Sequence, residues 1–264
     1  AGRLYSGRHA VELMISNDSS MIEELAIAID EYNTERRELD ADTTQEALAQ
    51  MRDDQWYATA KSTVVFNPDW HKGVVGIVAS RLIENHFKPT IVLTENDGKL
   101  TGSARTINQF DIYAAITKCE DLLEQYGGHT FAAGLTMKKD NLEAFKVRFE
   151  EVVKSSLSVE DQQERELVDL ELDFSTIFES HENRLQVPKL KRILSQMEPH
   201  GPGNMKPLFY SKNVFTTSCR VLKDAHLKLQ VTQPSTDIIL EAIGFNLAGK
   251  VDEVADGVPF EMLY

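Results

Sequence analysis

Cysteine is scarce in this sequence: Cys119 and Cys219 are the two that occur. They stand too far apart for a zinc knuckle and are too few for a disulfide scaffold, which favours a reducing compartment. Long apolar runs are missing too, and nothing approaches the roughly 20 apolar residues that a membrane span needs. The opening Ala1-Gly2-Arg3 has no signal-peptide character. The expectation is a soluble, cytoplasmic protein with no membrane segment. Internal repeats and low-complexity tracts are absent, as is an initiator methionine ahead of Ala1. The apolar run from Val258 to Tyr264 ends without a closing turn. Both ends read as those of a fragment.

Positive charge is in deficit, with a formal net charge of −14, which argues against indiscriminate binding to nucleic acid. Its placement is uneven. Residues 1 to 60 carry 5 Lys or Arg against 13 Asp or Glu, whereas residues 181 to 230 carry 9 against 3. One basic segment therefore stands in an acidic chain. The seven histidines, at 9, 71, 86, 129, 181, 200 and 226, include no close pair, and no Asp-rich motif joins them. No metal ligand set is expected from these residues.

What is present is enough for a core: 264 residues, of which 42% are hydrophobic, leave room for two domains. Ser20 with Glu23 forms a capping box ahead of Ile22, Leu25, Ile29 and Tyr32, and predicts a long helix from 20 to about 55. From 61 to about 158 the pattern alternates. It predicts strands at 61–66, 90–94, 99–105 and 132–137, with helices at 73–86, 111–126 and 141–157. That is one α/β domain. The acidic stretch 158–164 reads as a linker. Beyond it come a half-exposed strand at 167–173, a short basic helix at 186–197, and strands at 208–217, 226–232 and 238–245, which suggest a small β-barrel.

Three stretches could carry chemistry. Gly127-Gly128-His129, after the predicted helix, offers permissive backbone beside an imidazole; it reads equally as a helix C-cap followed by an ordinary histidine. In Thr101-Gly102-Ser103-Ala104-Arg105, Ser103 and Arg105 share one face of a strand, so a guanidinium fork and a hydroxyl could meet one phosphate. The alternative is an edge strand with a surface arginine. In Trp70 to Arg81, Gly73, Gly76, Ala79 and Ser80 keep one helix face small, and His71 and Lys72 stand where a helix N-terminus could attract an anion. In the basic segment, Phe209, Tyr210 and Phe215 lie among Lys206, Lys212, Arg220, Lys223 and Lys228, which suits a single-strand groove; the phenylalanines suit a core equally well.

In order and wording these stretches resemble the RecJ family of single-strand-specific DNA exonucleases, within the DHH phosphoesterase superfamily. The resemblance extends to Ala1-Gly2-Arg3, Asn33 to Arg37, Thr90 to Leu93, Ala132-Ala133-Gly134, Pro199 to Asn204 and Ala242 to Asn246. It implies a fold of α/β class for a DHH-associated domain at 61–158 and a β-barrel of OB-fold type at 165–264, C-terminally truncated. An N-terminal long connecting helix, 1–60, joins them to a metal-binding DHH domain that these residues do not include. By the same resemblance, His129 is catalytic, with Gly127, Gly128, Ser103 and Arg105 binding substrate; His71 and Lys72 at the helix entry, and Lys206 and Lys212 in the basic segment, join them as expected substrate contacts on their charge and placement. Two Mn or Mg ions held elsewhere would activate water while His129 and Arg105 neutralise the phosphate. Implied partners are single-stranded DNA, single-strand-binding protein and a recombination helicase. Two other readings are a non-catalytic single-strand-binding module and a DHH phosphodiesterase for short RNA or cyclic dinucleotides.

Overall fold

The structure, a computed structural model, describes residues 2–107, 110–158, 161, 163, 165–178, 187–255 and 257–264. The chain divides into two compact units, residues 1–164 and 165–264.

The first unit begins with helices α1 (Arg8–Ile15), α2 (Ser19–Asp53) and α3 (Trp56–Thr59). The cap of α2 is Asp18, whose carboxylate accepts from the Ser20 and Met21 N–H groups at 2.9 and 3.4 Å. The expected Ser20/Glu23 capping box does not form, because an anionic acceptor one residue ahead of the helix meets both the unpaired amides and the helix dipole. Strand β1 (Thr63–Phe66), helix α4 (Val75–His86) and strand β2 (Thr90–Asn96) form a parallel crossover unit. Asp97 and Gly98, both at positive φ (53° and 74°), then turn the chain tightly into β3 (Lys99–Arg105).

The helix predicted over 111–126 is cut short. Helix α5 (Ile112–Thr117), capped by Asp111, gives way to a 3-10 turn at Glu120–Leu122, and Gln125–His129 is strand β4. Each glycine in a helix interior costs about 1 kcal/mol relative to alanine. Here Gly127 and Gly128 instead join a ladder with β5 (Ala132–Met137). Helix α6 (Leu142–Ser156) closes the unit, and the sheet order is β1-β2-β3-β5-β4.

One face of this sheet is fully covered. Ile91, Leu93, Leu100, Ala104, Ala133, Leu135 and Met137 pack against Ile112 and Ile116 of α5 and Phe145, Phe149 and Val153 of α6. On the opposite face, Val65 and Val92 meet Val75, Val78 and Leu82 of α4 and Ala47 and Met51 of α2. That second cover reaches β3, where α4 lies beside Ser103 and Arg105. The corresponding face of β3, β5 and β4 carries small and polar residues that are half-buried or exposed.

The second unit holds β6 (Leu170–Glu171), α7 (Lys189–Gln196), β7 (Phe209–Leu222), β8 (His226–Thr232), β9 (Leu240–Gly244), α8 (Val251–Val254) and β10 (Phe260–Leu263). The order is β10-β7-β8-β9, with β6 pairing β7 in parallel. Strand β7 is longer than its predicted 208–217. Its first half pairs β10 and its second half pairs β8, with a register shift between Thr216 and Ser218, so the sheet curls into a half-barrel. Phe174, Val214, Leu227, Leu229 and Val231 fill the concave side. The strand predicted at 167–173 shortens to two residues, since the Leu172 N–H still bonds Tyr210 O but the chain then turns at Asp173. Of the predicted linker, residues 159, 160, 162 and 164 lie outside the described residues, as do His181 and residue 186 of the predicted basic helix.

Candidate nucleic-acid interface

The face of β3, β5 and β4 that runs on beyond α4 is organised by register. Arg105 pairs Ala132, which pairs His129; Ser103 pairs Gly134, which pairs Gly127; Thr101 pairs Thr136, which pairs Gln125. Directly paired residues present side chains to the same face, so three rows stand side by side, with about 10 Å from the outer strand to the outer strand. Ser103 and Arg105 share a face, and the Arg105 Nη1 donates to Ser103 Oγ at 2.7 Å. A second bond from Nη1 to Ala104 O, also 2.7 Å, holds the guanidinium against the sheet.

An open depression of about 320 Å³ adjoins this arginine, lined by Arg3, Lys72, Gly73, Val75, Gly76, Thr101, Gly102, Ser103 and Arg105. It contains three cationic side chains and no carboxylate. Burial lowers the Arg105 pKa, and the neighbouring Arg3 charge lowers it further. Arginine stays protonated even so, so Arg105 is a half-buried positive charge with the exposed Arg3 beside it, and an anion would relieve their repulsion. Helix α4 contributes its N-terminus: no side chain caps it, and Val75 and Gly76 of its first turn lie in the wall. Glycine at 76 leaves room for the guanidinium where it stands, because a Cβ there would lie 2.9 Å from Arg105 Nη2 and 3.2 Å from Ser103 Oγ and the arginine would have to shift. Gly73 lets the N-terminal segment pass, since its Cβ would meet Arg3 O at 2.0 Å.

A second depression, of about 340 Å³, shares Thr101 and Gly102 with the first and extends over Gln125, Tyr126, Gly127, Gly134, Leu135 and Thr136. Its floor is neutral. The predicted Gly-Gly-His stretch is thus an edge strand beside this floor, and the C-cap reading fails because α5 and the 3-10 turn end before it and Gly127-Gly128 lie inside β4. His129 is exposed, its Nδ1 accepting from the Phe131 N–H at 3.2 Å, which leaves Nε2 to carry the proton of the neutral ring. The exposed Phe131 ring stands edge-on to it at 6.0 Å.

Lys72, Ser103 and Arg105 therefore come together, Gly127 lies on the adjoining floor, and His129 occupies the Arg105 row two strands away. Gly128 belongs to the covered face. His71 is not brought in: its Nδ1 accepts from Gly73 N–H at 3.0 Å, and it does not line the depression. Arg3, Gly134, Thr136 and Gln125 had no assigned role from sequence. The β2–β3 Asp97-Gly98 turn and the two-residue period of Thr101, Ser103 and Arg105 hold the signal for the row, but the pairing with β5 and β4 is non-local.

In the second unit, Lys206 makes no ion pair among the described residues. Lys212 is engaged: its Nζ lies 2.9 Å from Glu171 Oε2 and 5.3 Å from the Tyr210 ring centroid. A hydrogen bond with Glu261 pushes the Tyr210 phenol up to about 12. Phe209 is buried, and Phe215 is half-buried.

Fold and site define a protein that joins a DHHA1-type α/β domain, with one open cationic face, to an OB-type half-barrel. Residues 58–155 match the DHHA1 domain and residues 168–264 the RecJ OB domain. Carrying both in this order, the chain belongs to the RecJ family and corresponds to its DHHA1–OB region. It is 32% identical over 249 residues to the single-stranded-DNA-specific exonuclease RecJ of Bacillus subtilis (strain 168), covering 93% of this chain and 30% of that protein. With the RecJ of Escherichia coli (strain K12) it shares 30% over 258 residues, covering 94% and 42%. The crystal structure of RecJ in complex with Mg2+ from Thermus thermophilus superposes with a TM-score of 0.71 at 28% identity, covering 93% of this chain and 35% of that one. The Mn2+ complex gives 0.71 at 27%, covering 100% and 38%. The chain thus spans less than half the length of these relatives. Among the described residues, no three His, Cys, Asp or Glu side chains converge to hold a metal ion. No helix among the described residues is long and apolar enough to cross a membrane.

Proposed function

We propose that this chain is the strand-holding portion of a RecJ-like exonuclease that degrades single-stranded DNA from its 5′ end in repair and recombination. One observation carries the reading: in a chain of net charge −14, a depression walled by Arg3, Lys72 and Arg105 contains no acidic side chain. A phosphate there would accept from Ser103 and from the arginine fork in place of water. The neutral floor of Gly127 and Gly134 would let the rest of the nucleotide lie on the sheet, and His129 would meet phosphate charge at the far strand.

In this reading residues 1–60 connect, 61–158 close over the strand, and 165–264 track it, with Lys206 adding a phosphate contact and Lys212 doing so by leaving Glu171. His71 serves only to shape the turn before Lys72. Hydrolysis belongs to Mn or Mg ions held by residues outside this chain. Single-strand-binding protein and a recombination helicase would deliver the substrate, in the reducing cytoplasm that suits two free cysteines. The test is binding of labelled oligonucleotides to the chain. Single-stranded DNA should bind more tightly than duplex, and Arg105→Ala should weaken it about tenfold. Equal binding of duplex, or no effect of Arg105→Ala, would remove the basis for the assignment. In the full-length protein His129→Ala should lower turnover while leaving folding intact; unchanged turnover would take His129 out of the mechanism.

A further inference from the structure

We propose that the bare floor at Gly127 and Gly134 is a nucleobase subsite, in which Gln125 and Thr136 determine recognition by bonding the Watson–Crick edge of the base whose phosphate lies against Ser103 and Arg105. This rests on the strand-holding reading and deepens it by naming the groups that meet the base.

Two glycines that the fold does not need mark the place. Gly127 and Gly134 are cross-strand partners on β4 and β5, both exposed, and neither has a positive φ. A Cβ on Gly127 would meet nothing within 4 Å, and one on Gly134 would meet Gly102 O at 3.8 Å, an ordinary contact. Glycine inside a strand costs conformational entropy and supplies no packing, so a facing pair without a steric reason points to close approach by a ligand. Side chains there would lift a flat ring off the sheet. About 7 Å along the strands on one side runs the row of Arg105, Ala132 and His129, and on the other the row of Thr101, Thr136 and Gln125. This last row carries hydrogen-bonding groups and no charge. Gln125 is exposed, and its amide has no hydrogen-bond partner among the described residues. The Thr136 hydroxyl faces that of Thr101 at 3.4 Å, and Thr101 Oγ1 reaches Leu135 O at 3.4 Å, so both are bonded at the long limit.

Shape and charge select the occupant. The neutral depression of about 340 Å³ continues into the cationic one through Thr101 and Gly102. It therefore suits a body that is uncharged, flat and hydrogen-bonding, joined to an anionic head, which is the form of a nucleotide. A purely apolar body would leave the Gln125 amide and the Thr136 hydroxyl unbonded. Glutamine at 125 also gives a grip without base preference. Its amide sets a donor and an acceptor side by side and presents them in either order by turning over, so it matches the Watson–Crick edge of each base. A carboxylate in its place would accept only. Guanine, whose N1 and N2 both donate, would still be bonded, whereas thymine offers a single N3–H between two carbonyls.

The experiment is titration of the whole chain with the four deoxynucleoside monophosphates and with deoxyribose 5-phosphate, followed by NMR. The parent should bind the four nucleotides within about threefold of one another, and roughly tenfold more tightly than deoxyribose 5-phosphate. Gln125→Ala and Thr136→Val should each weaken the nucleotides about fivefold and leave the sugar phosphate unchanged. Gln125→Glu should introduce a preference for the guanine nucleotide over the thymine one. Gly134→Ala should weaken the nucleotides while melting at or above the temperature of the parent. Arg105→Ala should weaken every ligand alike. If the parent holds deoxyribose 5-phosphate as tightly as the nucleotides, if Gln125→Ala acts on both alike, or if Gln125→Glu brings no preference, the base subsite is overturned and the cationic depression stands. A parent that binds single-stranded DNA but no mononucleotide overturns it likewise. A parent that binds neither removes the strand-holding reading and this one with it.

Discussion

Adjacent glycines at 127 and 128 serve opposite ends. A Cβ on Gly128, at φ 153°, would stand 2.3 Å from Ala132 O and 2.6 Å from Ala133 Cα. A Cβ on Gly127 would meet nothing within 4 Å. Gly128→Ala should therefore cost about 2 kcal/mol or more in thermal or urea melting. Gly127→Ala should stay within about 1 kcal/mol of the parent, or be slightly stabilising. A loss of DNA binding confined to Gly127→Ala would tie that residue to the ligand rather than to the fold. Equal melting of the two variants would contradict the assigned backbone. The cysteines divide similarly: burial pushes the Cys119 thiol up to about 11, and it is fully enclosed, whereas Cys219 is half-buried. Near neutral pH the native chain should take up iodoacetamide at Cys219 alone, and at both thiols once unfolded, read by mass spectrometry. The partnership of Ser103 and Arg105 was legible because residues two apart on a strand share a face. Arg3 was not, because its neighbours are about 70 and 100 residues away.

Among the elements, strands with apolar runs were readable and the Gly-Gly-His segment was not. Helical spacing over 111–126 is genuine as far as Thr117, but β5 supplies a pairing edge that no local pattern announces, and Gln125–His129 takes it. The start of β1 depends on another distant element. Glu150, in the middle of α6 and only 2% exposed, accepts from the Lys61 N–H at 2.8 Å and the Ser62 N–H at 2.9 Å. Glu150→Ala would leave two amides without acceptors and should cost on the order of 3 kcal/mol, lowering the denaturation midpoint. A neutral effect would mean that water replaces the carboxylate. A helical glutamate flanked by Glu151 reads as surface charge in sequence, so only the packing of α6 onto the sheet discloses its role.

For the whole molecule, the decisive quantity is how charge is distributed. A net charge of −14 would repel a polyanion, yet cations gather at Arg3, Lys72 and Arg105 in the first unit and at Arg220 and Lys228 in the second. Single-strand affinity should therefore fall steeply with added salt, and the chain incubated with Mn2+ should release no nucleotides from single-stranded DNA. Metal-dependent release by a clean preparation would contradict the latter, and salt-independent binding the former. The sequence by itself determined the two-domain class, the buried strands, the Ser103–Arg105 pair and the family likeness, because these rest on periodicity and on short ordered motifs. Tertiary structure alone decided that Gly127 to His129 is an edge strand and that Arg3 joins the cationic depression. It also decided that Phe209 is core while Phe245 stands in solvent. Strand pairing and the curl of a sheet depend on contacts between distant residues, and those contacts choose which face of each strand meets water.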